Sequence, residues 1–303
     1  MPQVQSNGLT LEYDDHGKAG DPPVVLIMGF SGQLTMWPMK FVEGLVGEGF
    51  RVLRFDNRDI GLSTRLTEKG APDIGAAMMA AMSGQVNKNA AYVLDDMAAD
   101  TVGLLDALNI KTAHIVGASM GGMIAQIVAA KHGARARSLV SIMSTTGRPG
   151  LPQAAPEISA ALITPPASPG REDRIAHFKK MFRTIGSPGF PASEAEIQAL
   201  AEGVVDRGPY DPEGVGRQLV AILSSEPRHE ILKNVSCPAL VLHGEADPLV
   251  PISGGKDTAE SIPGSEFVGV PGMGHDFTDA LMDQFMTHIG GFLTRVESKA
   301  EAA

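Results

Sequence analysis

Apolar and polar residues follow two alternating patterns along most of the chain. Short continuous apolar runs, such as Val24 to Met28, are typical of strands that are buried on both faces of a sheet. Between these runs, apolar residues recur at helical spacing. The predicted strands are 9–13, 23–28, 50–55, 113–116, 138–143, 238–243 and 266–270, and the predicted helices are 38–46, 92–108, 120–130, 257–262 and 279–296. This alternation predicts an α/β fold with a mostly parallel central sheet flanked by helices.

The alternation stops between Thr145 and Lys233. This stretch is rich in proline and glycine and contains short helical patterns but no strong strand. We therefore predict an α/β core of residues 1–144 and 234–303 with a helical cap (lid) domain, residues 145–233, inserted into it. A second long connection, 66–91, contains several methionines that are predicted to line the same cleft. The polar tail 297–303 is predicted to fray.

Composition and charge narrow the choice of partners. The chain has 303 residues and a formal net charge of −10, which argues against nucleic acid and anionic membranes as partners. Its single cysteine, Cys237, excludes an intrachain disulfide and a cysteine cluster for zinc. The chain start lacks a signal-peptide pattern, and no apolar run is long enough to span a membrane. We expect a cytoplasmic protein without a membrane span; nothing in the sequence indicates an oligomeric state.

A G-x-S-x-G motif, Gly117 to Gly121, follows a predicted strand and precedes a predicted helix. This context puts Ser119 on a sharp turn, where the two glycines remove side chains that would clash and the helix amides face the serine hydroxyl. Ser119 is therefore the candidate nucleophile. A chance match in a chain with 35 glycines and a phosphate-binding turn of a dinucleotide domain are the alternatives. The motif lacks the G-x-G-x-x-G spacing of a dinucleotide-binding turn, which argues against the phosphate-binding alternative.

A serine nucleophile needs a base and an acid that orients the base. Among eight histidines, His275 is the best placed, because it lies in a glycine-rich loop after the last predicted strand. Asp247 is the candidate acid, with Glu245 as its competitor; the strand that ends at Ser144 carries no carboxylate at its end. The chain order serine, aspartate, histidine is typical of α/β-hydrolases.

Two backbone amides are predicted to form an oxyanion hole. One is the N–H of Met120, directly after the nucleophile, and the other is the N–H of Phe30, in the loop after the first long core strand. Met28 and Met273 flank the predicted reaction centre and suit an apolar acyl or alcohol group, although core packing is the alternative role for each. The predicted chemistry uses no cofactor and no metal.

Together these residues resemble the α/β-hydrolase fold family, and the closest likeness is to esterases similar to aclacinomycin methylesterases and microbial carboxylesterases. Residues 55–63 add to this likeness, because they resemble the family turn D-x-R-G-x-G-x-S. The resemblance implies that Asp56 and Arg58 brace the loop of Phe30 after the first long core strand, called the oxyanion loop below. Two positions depart from the family pattern: Met28 stands where many members have histidine, and Asp59 replaces the glycine after the motif's arginine.

The identity of the nucleophile limits which reactions of this fold are possible. A serine at this position argues against the haloalkane dehalogenases and epoxide hydrolases of the same fold, which need a carboxylate there. The sequence therefore predicts a carboxylesterase that acts on a small-molecule ester through an acyl-enzyme. C–C bond hydrolysis and cofactor-free perhydrolysis of the haloperoxidase type remain alternatives. A non-catalytic small-molecule-binding protein on this scaffold is a more remote alternative.

Overall fold

A twisted sheet organises the chain. The computed structural model describes residues 1–301, and within them eight strands form one sheet in the order β1-β2-β4-β3-β5-β6-β7-β8. Strands β3 to β8 run parallel to one another. At one edge, β2 pairs antiparallel with both β1 and β4. The strands are β1 Gln3–Ser6, β2 Leu9–His16, β3 Pro23–Ile27, β4 Arg51–Phe55, β5 Ala113–Ala118, β6 Ala136–Ile142, β7 Ala239–Gly244 and β8 Glu266–Val270.

Helices connect these strands. They are α1 Met39–Gly47, α2 Ile74–Met82, α3 Leu94–Ala107, α4 Met120–Lys131, α5 Pro156–Ile163, α6 Arg171–Ile185, α7 Glu194–Arg207, α8 Pro212–Leu223, α9 Ile252–Ser261, α10 Met282–Phe285 and α11 Gly291–Glu301. The predicted α/β fold is confirmed. Strand β1 was not predicted, because its residues are mostly polar and it lies at the sheet edge. No helix within residues 1–301 combines the length and apolar character that crossing a membrane requires.

Alternate residues of the central strands pack into two apolar layers. Val25 and Ile27 of β3 join one cluster with α3 and α4, whereas Val24 and Leu26 join another with α1 and α11. Side chains of a strand point alternately to the two faces, so a continuous apolar run is what a sheet covered on both faces requires. The carboxyl ends of β3, β5, β7 and β8 consequently meet at one edge, beneath the loops that follow them.

Residues 145–233, called the inserted segment below, connect β6 to β7 and contain α5 to α8. Helices α6 and α7 share a small apolar cluster of their own, formed by Ile175, Phe178, Phe182, Ile197, Ala201 and Val205. Buried Arg228 links the two ends of the segment: its N–H donates to the Thr146 carbonyl at 2.8 Å and its guanidinium to the Thr145 carbonyl at 3.0 Å. That this segment acts as a cap domain stays a prediction.

One local expectation needs correction. Met79 and Met82 of α2 are 71% and 89% exposed, so they face solvent rather than line a cleft. These side chains sit on a helix of which only Ala77 is buried, and apolar character alone could not tell an exposed helix from a lining one. The tail is helical as far as Glu301, where α11 ends, and 302–303 lie outside the described residues, so the fraying of the tail stays a prediction.

Candidate active site

Ser119 occupies the turn between β5 and α4. Its φ of 56° and ψ of −120° lie where residues other than glycine are rarely found. Hydrogen bonds hold the peptide groups on both sides of it: the Ser119 N–H donates to the Ile142 carbonyl at 2.9 Å, and the Ser119 carbonyl accepts from the Ser144 hydroxyl at 2.8 Å. The strained turn is therefore supported by strand β6 and the residues just beyond it.

Two glycines allow this turn to pack against the sheet. A Cβ at Gly117 would lie 2.0 Å from the Gly121 carbonyl oxygen, and a Cβ at Gly121 would lie 2.0 Å from the carbonyl oxygen of Ile27. Both obstacles are backbone atoms, which cannot rotate away as a flexible side chain could. The glycines therefore have the steric role that the motif predicts.

Two hydrogen bonds join Ser119, His275 and Asp247. The Ser119 Oγ lies 3.0 Å from His275 Nε2, and His275 Nδ1 lies 2.8 Å from Asp247 Oδ2. The other carboxylate oxygen, Oδ1, accepts the N–H groups of Leu249 at 2.9 Å and Val250 at 2.8 Å. This arrangement can pass the hydroxyl proton to the imidazole while the carboxylate holds the opposite ring N–H. The fold thus brings together three residues that lie far apart in the sequence.

The competing carboxylate lies elsewhere. Glu245 is exposed and its side chain lies beside Gly269 of β8, not beside the imidazole of His275. His243 supports the loop of Asp247 instead: it is fully buried, and its Nε2 donates to the Val250 carbonyl at 2.8 Å. Burial lowers the pKa of His243 by disfavouring the charged ring, which keeps this histidine neutral.

The loop of His275 is hydrogen-bonded to the inserted segment. The His275 N–H donates to the Ile185 carbonyl at 2.8 Å, and the Gly274 N–H donates to the Ser187 hydroxyl at 2.8 Å. The same hydroxyl donates to the carboxylate of Asp276, which also accepts the Ser187 N–H at 3.2 Å. Burial raises the pKa of Asp276 to about 6. Sequence reasoning missed this contact, because no local pattern relates Ser187 to residues 87 positions or more away.

The predicted oxyanion donors flank the serine. A Cβ at Gly29 would lie 3.0 Å from the Cβ of Ser119, so the loop that carries Phe30 packs directly against the nucleophile. Within residues 1–301, the amides of Phe30 and Met120 have no hydrogen-bond acceptor. Met120 is the first residue of α4, where a free amide is expected. That these two N–H groups form an oxyanion hole stays a prediction.

Comparison with known proteins identifies the family. The sequence profile of the alpha/beta hydrolase fold matches residues 22–279. The chain belongs to the alpha/beta-hydrolase family. It is 26% identical to the rhodomycin D methylesterase DnrP of Streptomyces peucetius, over 90% of this chain and 91% of the relative. It is 27% identical to a 2-hydroxy-6-oxononadienedioate/2-hydroxy-6-oxononatrienedioate hydrolase of Cupriavidus pinatubonensis, over 82% of this chain and 78% of the relative.

Solved structures share the fold of this alpha/beta hydrolase. The enol-lactonase from Burkholderia xenovorans LB400 superposes with a TM-score of 0.71 at 22% identity, covering 97% of this chain and 100% of the lactonase. At that identity the likeness describes the architecture and not the substrate.

Asp59 stands where the family pattern has glycine, and the structure shows why an aspartate fits there. Asp59 has a φ of 67°, the left-handed conformation that favours glycine and that aspartate tolerates better than most residues. Its carboxylate accepts two hydrogen bonds from Arg217 of α8, at 2.9 and 2.8 Å, and one from the Tyr92 hydroxyl at 2.8 Å. Arg217 and Asp59 are both fully buried. This hydrolase has therefore replaced the flexible glycine with a side chain that holds the inserted segment.

Asp56 and Arg58 were both predicted to brace the oxyanion loop, but only Asp56 contacts it. Asp56 accepts the Leu34 N–H at 2.7 Å, so it does brace the end of the oxyanion loop. The side chain of Arg58 does not reach that loop; it pairs with Asp100 of α3 at 2.6 Å. Asp100 is buried in this pair. The expectation for Arg58 was wrong because a buried helical carboxylate is a stronger acceptor for a guanidinium than a backbone carbonyl is.

Met28 and Met273 are buried, with exposed fractions of 3% and 0%. Both belong to the apolar cluster that also contains Trp37 and Phe41, and the side chain of Met28 packs over Gly32. Their contact with a substrate stays a prediction. Within residues 1–301, no group of three or more histidine, cysteine or acidic side chains is arranged to hold a metal ion.

Proposed function

We propose that the protein is a serine carboxylesterase. The observation that carries this proposal is the pair of hydrogen bonds from Ser119 to His275 at 3.0 Å and from His275 to Asp247 at 2.8 Å. The proposal takes Ser119, His275 and Asp247 as the catalytic residues, with Phe30 and Met120 as oxyanion donors. The methylesterase relative supports ester hydrolysis as the reaction.

In the proposed mechanism, His275 Nε2 takes the proton of Ser119 while Oγ attacks the ester carbonyl carbon. The carbonyl oxygen becomes an oxyanion and accepts the N–H groups of Phe30 and Met120. Asp247 orients the imidazole and stabilises its protonated form. His275 then gives the proton to the departing alkoxide, which leaves an acyl-enzyme. Water, deprotonated by His275, then attacks the acyl-enzyme carbonyl; as the bond to Ser119 Oγ breaks, His275 returns the proton to Oγ and the acid is released.

The charges near the site favour a neutral substrate over an anionic one. Arg58, Arg207 and Arg217 approach the loops after β3 and β4, and each is already paired with a buried aspartate. A dioate, such as the substrate that names the Cupriavidus relative, carries two carboxylates that need cationic partners. We therefore favour a neutral ester with an apolar acyl or alcohol group over a C–C hydrolase substrate.

We also propose that the inserted segment, residues 145–233, is a cap over the site. Its helices α6 and α7 have their own apolar cluster, and its residue Ser187 contacts the loop of His275. In this reading the cap selects the substrate, and the α/β core, 1–144 and 234–303, performs the reaction.

The test of the function is hydrolysis of p-nitrophenyl esters of graded acyl length. The Ser119→Ala variant should lose essentially all turnover, and a fluorophosphonate should label the wild type but not the variant. A dicarboxylate vinylogous diketone, the type of substrate that a C–C hydrolase cleaves, should be turned over far more slowly than the best ester. A Ser119→Ala variant that keeps most of its esterase activity would contradict the proposal.

The choice of acid has a matched test. Asp247→Asn should lower kcat by about 10⁴, since the asparagine no longer holds the histidine in the required tautomer. Glu245→Gln should stay within about twofold of the wild type, because Glu245 is exposed and does not contact His275. Equal losses in the two variants would mean that the acid is wrongly assigned.

A further inference from the structure

The side chain of Gln218, on α8, is buried against the oxyanion loop. Its side chain is fully buried and uses both ends of its amide: Oε1 accepts the Ser31 N–H at 3.0 Å, and Nε2 donates to the Arg58 carbonyl at 2.9 Å. Ser31 directly follows Phe30, the proposed oxyanion donor. Gln218 therefore connects the inserted segment to the loops after β3 and β4 at the same time.

The oxyanion loop needs support in its middle. Its ends are held from the turn after β4, where Asn57 donates to the Met28 carbonyl at 3.0 Å and Asp56 accepts the Leu34 N–H at 2.7 Å. Between them Ser31 has a φ of 56°, a left-handed conformation that costs about 1–2 kcal/mol for a residue with a side chain. Within residues 1–301, Gln218 is the side chain that bonds to the backbone of this strained residue.

We propose that Gln218 is a positioning residue for the oxyanion hole: by holding Ser31 in its left-handed conformation, it keeps the N–H of Phe30 directed at the reacting carbonyl. This inference rests on the proposed acyl transfer at Ser119. It makes the inserted segment a structural part of the hole, because α8 carries the residue that completes the support.

The chemistry of the position favours glutamine over its relatives. One end of the side chain must accept a hydrogen bond and the other must donate one, and the amide does both without a charge. Methionine has a similar length but offers neither hydrogen bond of useful strength. An ionised glutamate can accept from Ser31 but places a negative charge against the Arg58 carbonyl. The adjacent Arg217, paired with Asp59, holds this part of α8 in place.

The first experiment compares Gln218→Met with wild type on p-nitrophenyl butyrate. Oxyanion donors stabilise the transition state more than the bound ester, so kcat should fall about 10- to 100-fold while KM stays within about twofold. A trifluoromethyl ketone reports on the same hole, since addition of Ser119 to its carbonyl creates an oxyanion there. Its inhibition constant should rise by a similar factor.

Gln126→Met is the matched control. Gln126 of α4 is also a fully buried amide with two hydrogen bonds, from its Nε2 to Ser141 at 3.2 Å and to its Oε1 from Arg228 at 3.1 Å. It does not contact the oxyanion loop. Its substitution should lower the melting temperature at least as much as Gln218→Met does, while kcat and inhibition by the ketone stay near those of the wild type.

Gln218→Glu adds a pH signature. When protonated, the glutamate reproduces the amide, because its carbonyl accepts from Ser31 and its O–H donates to the Arg58 carbonyl; when ionised, it does not. Burial raises the pKa of such a carboxyl. The ratio of variant kcat to wild-type kcat should therefore increase as the pH is lowered from 8 to 6. This measurement decides the question if Gln218→Met does not fold.

Two results would overturn the inference: a folded Gln218→Met variant with kcat within twofold of wild type, or a Gln218→Glu ratio that does not rise as the pH falls. Equal losses of kcat in Gln218→Met and Gln126→Met would also contradict it, because they would reflect stability alone. If Ser119→Ala is inactive while Gln218→Met is fully active, the proposed function stands and only this inference fails.

Discussion

The loops of Ser119 and His275 lie side by side but are held in place in different ways. The Ser119 turn is held within the α/β core, by close backbone packing at Gly117 and Gly121 and by a hydrogen bond to the Ile142 carbonyl. The His275 loop packs against the core at Gly244 and Ala246, and it is also held from outside the core, through Ile185 and the side chain of Ser187. The nucleophile thus depends on packing within the core, whereas the histidine depends on the inserted segment as well.

This difference separates two requirements of the site. The nucleophile can be strained because atoms of the sheet surround its turn and leave it no room to relax. The loop of the histidine also packs against β7, but part of its support comes from hydrogen bonds to the distant inserted segment. A change in the inserted segment should therefore affect the base while the nucleophile stays in place.

The largest effect should follow from Gly121→Ala. The new Cβ would lie 2.0 Å from the Ile27 carbonyl oxygen, so either β3 or the start of α4 must move. We expect at least about 3 kcal/mol lower stability in urea unfolding and a loss of most activity. Gly133→Ala, just after the same helix, meets no atom within 4 Å and should leave both nearly unchanged. A stable, active Gly121→Ala enzyme would contradict the claim that close packing within the core holds the Ser119 turn.

Ser187→Ala should have an intermediate effect. It leaves the Gly274 N–H without an acceptor and removes the hydroxyl that donates to Asp276, so the His275 loop should shift while the core remains folded. We expect kcat to fall about 10- to 100-fold with KM little changed, because misplacement of a catalytic group by about 1 Å can cost that much. Steady-state kinetics on a p-nitrophenyl ester measures both parameters.

Ser193→Ala is its control. Ser193 caps α7 in the same segment through the N–H of Glu196 at 3.1 Å and does not contact the His275 loop. Its loss should cost about 1 kcal/mol of stability and leave kcat unchanged. Equal kcat in Ser187→Ala and wild type would show that the segment does not position the histidine.

The smallest effect concerns pH. The pKa of Asp276 is about 6, above the ordinary value of 3.8, so the folded state holds this proton more tightly than the unfolded state does. Its contribution to stability is complete at pH values below the ordinary pKa and is lost as the pH rises through 6. Relative to Asp276→Asn, the wild type should lose about 1 kcal/mol of unfolding free energy between pH 5 and pH 7. Urea unfolding at a series of pH values measures this, and a constant difference between the two proteins would contradict it.

Short-range patterns in the chain were enough to predict the α/β fold and the turn of Ser119. The apolar runs indicate strands because only a sheet covered on both faces buries them, and the glycines of the motif indicate the turn because nothing larger fits there. The same patterns indicated Asp247 and His275 as partners, since each follows a core strand at its carboxyl end. Those roles stay predictions until the variants are measured.

Contacts between distant residues could not be predicted in this way. The pairing of Arg58 with Asp100, the contact of Ser187 with the His275 loop and that of Gln218 with Ser31 join residues 42 or more positions apart. Each is polar and at least partly buried, so its contribution depends on geometry that only the packed chain creates. The sequence by itself therefore determined which strands form and where the reactive side chains follow them. The tertiary structure decided what holds those side chains in place, because hydrogen bonds over such separations leave no periodic trace in the chain.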